Sequence, residues 1–521
     1  MFVNVEECIM MKGSRYCIHV DLTAQKAKRS EKRITAAAGH TPPARVVSHT
    51  TAATMATAEE RALMGMVPYT VLTIIVTLMA VGKNVTLRLM GSLTYYLIPE
   101  TPQEQARARL ARVTAGKSPS ETRRRAARIK ANISEDAEGT ESIAAVKFGK
   151  ALVLAPYFRE FDYGLLFAIL VIANFAAAEL APMALNLPDH ENILVPMLAL
   201  VAVFSSARSL VKLLFDKLTP KIERQAALAV GVVGFVLALF FLLLVPTSAL
   251  DFEVAGTSKE LAPAMAKKIR SRVVGRKAAE RVADIAGGMV VPELQIFIGL
   301  ALFAGIISGA LFGPAVRIVR CYNSCVRPPS WGGDFVGVSK AVVPLLHASF
   351  ALPIVTAFAW FAPLSRGPFG LTDEQYDLLR VVSLMVTGLM QVAVVPALVQ
   401  AYLDGGMVAW YEVKHGEKGV QAMAALRGVV RQKLEVTRHL ACKVALQAVG
   451  PATLMIAYAC LLGCKRRDES DGATENITSL VPAVCWRTIA SFLGWWTCAV
   501  WATLTSAGVA AAKAGVETFT R

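Results

Sequence analysis

The residues best suited to chemistry in this chain are polar groups set inside apolar runs. In "PLLHASFALP", residues 344–353, one imidazole, His347, stands between two prolines with apolar neighbours on both sides. Its ring could serve as a base, an ion ligand or a pH sensor, or could pack with one donor and one acceptor satisfied. Ser383, Thr387 and Gln391 recur every four residues, which places them on one helix face. In lipid such a face must bond to neighbouring helices or line a wet path. Ala301, Gly305, Gly309 and Gly313 share the same spacing but offer no chemistry. Removing side chains there lets another backbone approach closely, within the molecule or across a homodimer.

Covalent chemistry would need partners that the sequence does not supply. It contains no Walker A loop, no GxSxG elbow and no HExxH. A lone His347 could serve a membrane acyltransferase only with an activated second group. Cys321 and Cys325 are four apart, as are Cys460 and Cys464, without the further ligands that a zinc site requires. The reading is therefore non-enzymatic, with no metal and no cofactor. Cys321, Cys325 and Cys464 are expected as free thiols open to palmitoylation.

The elements that carry these groups follow from composition. Of 521 residues 55% are apolar, and the mean hydropathy is +0.48. That excess over soluble proteins points to lipid. About 20 apolar residues cross the hydrocarbon as helix. Scanning at that length predicts an all-α polytopic protein of about nine spans, near 65–82, 163–185, 193–213, 226–248, 294–316, 341–363, 380–402, 442–463 and 488–511. The net charge of +16 lies between these blocks, where it fits anionic lipid head groups better than nucleic acid. Loops one, three, five and seven carry most of the Lys and Arg, which predicts that they are cytoplasmic.

The domain plan has residues 1–64 as an N-terminal extension and 65–521 as the membrane domain. Residues 1–54 hold eight Lys/Arg against four acids. They read as an extension upstream of "MATAEERALMGM" at Met55, or else as a transit peptide for an organelle. Within the membrane domain, 83–162 is a basic loop with helix-start signals at Thr101–Glu104 and Ser118–Glu121. Residues 251–290 and 403–441 read as amphipathic segments, the first as an interfacial helix. Pro396 and Pro451 mark expected kinks. Of the sequons at Asn84, Asn132 and Asn476, only Asn476 falls on the lumenal side of this topology.

Four stretches carry a resemblance to a known family. "LLHASFALPIVTAFAWFAPLSRGPF" (345–369), "VPALVQAYLDGGMVAWYE" (395–412), "GSLTYYLIPETPQEQARARLA" (91–111) and "LQAVGPATLMIAYACLL" resemble, in order and spacing, segments of the transmembrane protein 161 family. The shared motif positions are His347, Ser349, Phe350, Pro353, Gln400, Ala401, Tyr402 and Leu403. The resemblance implies a multi-span membrane protein associated with ion currents and oxidative stress; the expected location is the plasma membrane or secretory pathway. It implies no established catalytic or ligand residue. The expected role is regulatory or accessory, through a membrane protein partner. Transport past His347 and Gln391 is the competing reading.

Overall fold

Fifteen residues, Pro68–Gly82, form the first apolar helix, α1, followed by the short α2, Val85–Met90. Strands β1 (Thr94–Leu97) and β2 (Ala144–Lys147) pair antiparallel, Thr94 opposite Lys147. A 3-10 turn, Gly149–Leu154, leads into α3, Phe158–Leu185. Then come α4 (Leu194–Leu214), α5 (Lys221–Leu244), α6 (Glu293–Val326), α7 (Val343–Ala359) and α8 (Ala362–Phe369). The last three are α9 (Asp373–His415), α10 (Gly419–Gly463) and α11 (Ala483–Lys513). The computed structural model describes residues 68–98, 143–185, 194–217, 219–254, 256–258, 293–329, 331, 336, 338–415, 419–464 and 483–515, all within one compact unit, Glu59–Arg521. The extension 1–54, the helix starts at Thr101 and Ser118, Asn132, Asn476 and nearly all of 251–290 lie outside these residues.

Among the described residues six helices are long and apolar enough to cross a membrane: α3 to α6, α9 and α10. There are seven if the bent pair α7–α8 counts as one. The fold is thus an all-α membrane protein, but the count of nine is not supported. At 15 residues, α1 is short of the usual crossing length. The segment 341–363 is broken by a 78° bend between α7 and α8. Pro363 sits in the first turn of α8, and Phe361 before that turn is extended. A proline has no N–H to continue the preceding ladder, but it is well tolerated in the first turn of a new helix. Although α11 is 31 residues long, its tryptophans, threonines and serines leave it less apolar than the six. Pro396 and Pro451, by contrast, lie within the single unbroken helices α9 and α10.

The core is organised around α10. Every residue from Ala441 to Leu462 is buried, because α3, α4, α6, α9 and α11 all pack against it. The opposite case is α5, whose Val232, Val233, Val236, Leu237, Phe240 and Leu244 are exposed. In water such a surface would be an aggregation patch, whereas in lipid it needs no covering. The inner face of α5 meets α6 through glycine. A Cβ on Gly309 would lie 2.8 Å from the Ala227 carbonyl oxygen, and one on Gly305 2.9 Å from that of Gly231. On Gly313 it would meet Glu223 at 2.8 Å, while Ala301 is fully buried. The Ala301/Gly305/Gly309/Gly313 face is therefore occupied from within the chain.

Residues 403–441 are mostly helix: α9 continues to His415 and α10 begins at Gly419. With 43 and 45 residues, each is roughly twice the ~30 Å hydrocarbon in length at ~1.5 Å per residue. The antiparallel pair must therefore project beyond the bilayer.

Candidate functional site

His347 is exposed on the first turns of α7, where the Tyr322 hydroxyl lies 2.7 Å from its Nδ1. The Tyr322 ring stacks on Phe350 at 4.1 Å. Two helices thus fix the imidazole at a junction, beside an aromatic pair. Ser349 is buried and donates to the Leu346 carbonyl at 2.8 Å. Four residues later the missing N–H of Pro353 leaves the Ser349 carbonyl without its helical donor.

The face of Ser383, Thr387 and Gln391 divides into three cases. Ser383 donates to the Arg380 carbonyl at 3.0 Å. Thr387 bonds the Ser383 carbonyl at 2.7 Å and the Thr356 hydroxyl at 2.8 Å, tying α9 to α7. Gln391 is 5% exposed, and its Nε2 has no partner. It lines a cavity of about 10 Å³ with Ser349, Phe350 and Trp501, close to the least that holds one water. His347 does not line that cavity.

The motif around Gln400 does what no periodicity announced. Its side-chain amide accepts from the Thr94 N–H at 2.9 Å and donates to the Thr94 carbonyl at 3.1 Å. It thereby caps β1 as a neighbouring strand would. The same Nε2 donates to Asp404 Oδ1 at 2.7 Å, and the Tyr96 hydroxyl donates to that oxygen at 3.1 Å. Burial first, and then the Asp404 charge, raises the Tyr96 phenol well above its ordinary range. Ala401 and Leu403 on the same turns are buried, and Tyr402 packs against the core. Asp404, 5% exposed, also walls a cleft of about 230 Å³ with Cys325, Arg327, Val338, Gly405 and Val408.

Two ion clusters were not legible as motifs. Near the ends of α4 and α6, Lys443 Nζ meets Asp216 at 2.7 Å, and Arg317 meets Glu223 at 3.0 Å and Gln447 at 3.0 Å. The Tyr157 hydroxyl donates to Asp216 at 2.5 Å. Burial, then that bond, pushes the phenol up. At the opposite ends, Arg487 pairs with Glu253 at 3.1 Å and with Asp377. Arg380 donates to the Asp251 carbonyl at 3.0 Å and lies over the rings of Tyr376 and Trp360. In each cluster acids face bases, which offsets the cost of burying them. The only sequence signal was an excess of ionisable residues within a turn or two of apolar segment ends.

Among the described residues no group of His, Cys, Asp and Glu could hold a metal. Of the three candidate thiols, Cys321 and Cys325 are buried and Cys464 is partly open, so burial removes the first two as acylation sites.

Comparison with curated proteins and with solved structures found no match. The family described as predicted transmembrane protein 161AB matches residues 62–469, more than half of the chain. The matched stretch holds both His347 with its Tyr322 partner and the Gln400–Asp404 clamp on β1. The chain belongs to the transmembrane protein 161 family.

Proposed function

We propose that this is a non-enzymatic accessory protein of its membrane, regulating ion currents or stress responses through a membrane protein partner. What carries the reading is the mutual engagement of hydrophilic groups between helices: Thr387 with Thr356, Lys443 with Asp216, Arg317 with Glu223 and Gln447. Groups that satisfy each other hold a scaffold rigid, and a rigid scaffold presents a constant surface. Recording membrane currents in cells with and without the chain tests it. Unchanged currents alongside a solute flux by the purified protein in liposomes would reject it.

Transport is the second reading, favoured by the unpartnered Gln391 amide beside its narrow cavity. It expects a liposome flux that Gln391→Leu abolishes. An acyltransferase reading expects His347→Ala to change a lipid or acyl product while protein level holds. We also propose nine crossings, with α1 and α11 as the outermost two in sequence. Supporting the first is a 3.0 Å bond from Thr73, midway along α1, to Asn174 in α3.

A further inference from the structure

We infer that the cleft beside Asp404 binds an aminoethyl phosphate group, with the carboxylate taking its ammonium and Arg327 its phosphate. Asp404 is 95% buried by complement of its 5% exposure, yet no described cation pairs with it. Both of its bonds, from Gln400 and Tyr96, fall on Oδ1, so Oδ2 keeps its accepting capacity. An uncompensated buried carboxylate is costly unless something positive arrives. Arg327 lines the same cleft, is exposed, and makes no ion pair with a described residue. The two opposite charges share a wall without closing on each other, an arrangement that suits a zwitterion lying between them.

The remaining wall is short and mostly apolar, with Pro329, Val336, Val338, Ala401 and Val408; its hydroxyl, on Ser324, is already bonded to the Arg320 carbonyl. A cleft of about 230 Å³ is below the range for drug-sized ligands and fits a small head group. Its depth agrees. Leu378 is exposed apolar surface near the start of α9, and Asp404 lies 26 residues further along the helix, about 39 Å at the helical rise. That exceeds the ~30 Å hydrocarbon, so the carboxylate sits at head-group level. The chemistry is shared by phosphatidylethanolamine and by free phosphoethanolamine.

The test uses the full chain. Thermal stability is measured in nanodiscs of phosphatidylcholine alone, with added phosphatidylethanolamine, and with added phosphatidylglycerol. In parallel, soluble phosphoethanolamine is titrated by calorimetry. Stabilisation by phosphatidylethanolamine alone assigns the lipid, and calorimetric binding assigns the free compound; either supports the site. Asp404→Asn keeps the Oδ1 bonds but removes the charge, and should weaken binding about thirtyfold or more. Gly405→Leu should block the cleft, since a Cβ there meets open space and the fold is spared. Equal binding by wild type and Gly405→Leu overturns the inference, even if Asp404→Asn fails to fold. So does equal stabilisation by phosphatidylglycerol, which lacks an ammonium, or no binding in any arm.

Discussion

Lys443 shows at the scale of one residue how this protein keeps charge at depth. It is 2% exposed, and its ammonium reaches both Asp216 at 2.7 Å and Thr219 at 3.5 Å. Removing either member breaks a pair that is largely shielded from water, a loss of about 3–5 kcal/mol. Asp216→Asn and Lys443→Met should each lower thermal stability in detergent by that order, while the paired Asp216→Leu/Lys443→Met replacement should cost clearly less. A double variant as unstable as the sum of the singles would refute the coupling. Tyr96 gives a pH-dependent counterpart. Its phenol is raised in the folded state by burial and Asp404, so the stabilisation is complete below the unfolded value of ~10 and is lost as pH climbs past it. Asp404→Asn should bring the Tyr96 phenolate transition to lower pH, read as the ultraviolet difference from Tyr96→Phe. An unshifted transition would mean that the carboxylate contributes nothing.

Between elements, the same spacing of small residues has different consequences depending on what faces it. Gly309 faces the Ala227 carbonyl, whereas a Cβ on Gly405 meets nothing within 4 Å. Gly309→Val should therefore destabilise by about 1–3 kcal/mol, the usual range for overpacking, and Gly405→Ala should not. Equal melting temperatures for the two would remove the α5–α6 contact from the account. At β1 the prediction is local. Gln400→Leu orphans the N–H and carbonyl of Thr94, a cost of about 1–3 kcal/mol, so amide exchange should quicken across residues 93–97 while α10 stays protected. The repeat on α6 was readable because one helix carries it whole. The Gln400 clamp was not, because its partner lies 306 positions away in sequence, and an amide on an apolar helix does not announce a strand edge. The bend after Trp360 was obscured by composition: 341–363 is apolar in all but His347, Ser349 and Thr356, and hydropathy averages over a break that Pro363 makes locally.

For the molecule as a whole, the two ion clusters mark its two ends. One joins the start of α3, the end of α4, the start of α5 and the late part of α6 through Tyr157, Asp216, Glu223 and Arg317. The other joins the residues after α5 to the starts of α9 and α11 through Glu253, Asp377, Arg380 and Arg487. With a crossing from one cluster to the other at each long helix, loops one, three, five and seven would share a side, the side that the distribution of Lys and Arg predicts to be cytoplasmic. Hydropathy could find these helices, because most turn an apolar face to lipid. It could not rank α10 as central, because a helix enclosed by protein and one bathed in lipid are both apolar all round. Single cysteines in a cysteine-depleted chain test the arrangement. Lys217→Cys and Lys340→Cys should react with an impermeant maleimide from one face of sealed vesicles, and Arg366→Cys from the other. Because the basic loops favour the cytoplasm, the face shared by 217 and 340 should be cytoplasmic, and glycan should attach at Asn476 and not at Asn84. Labelling of 217 and 366 from the same face would break the alternation and, with it, the assignment of α7 and α8 to one bent crossing.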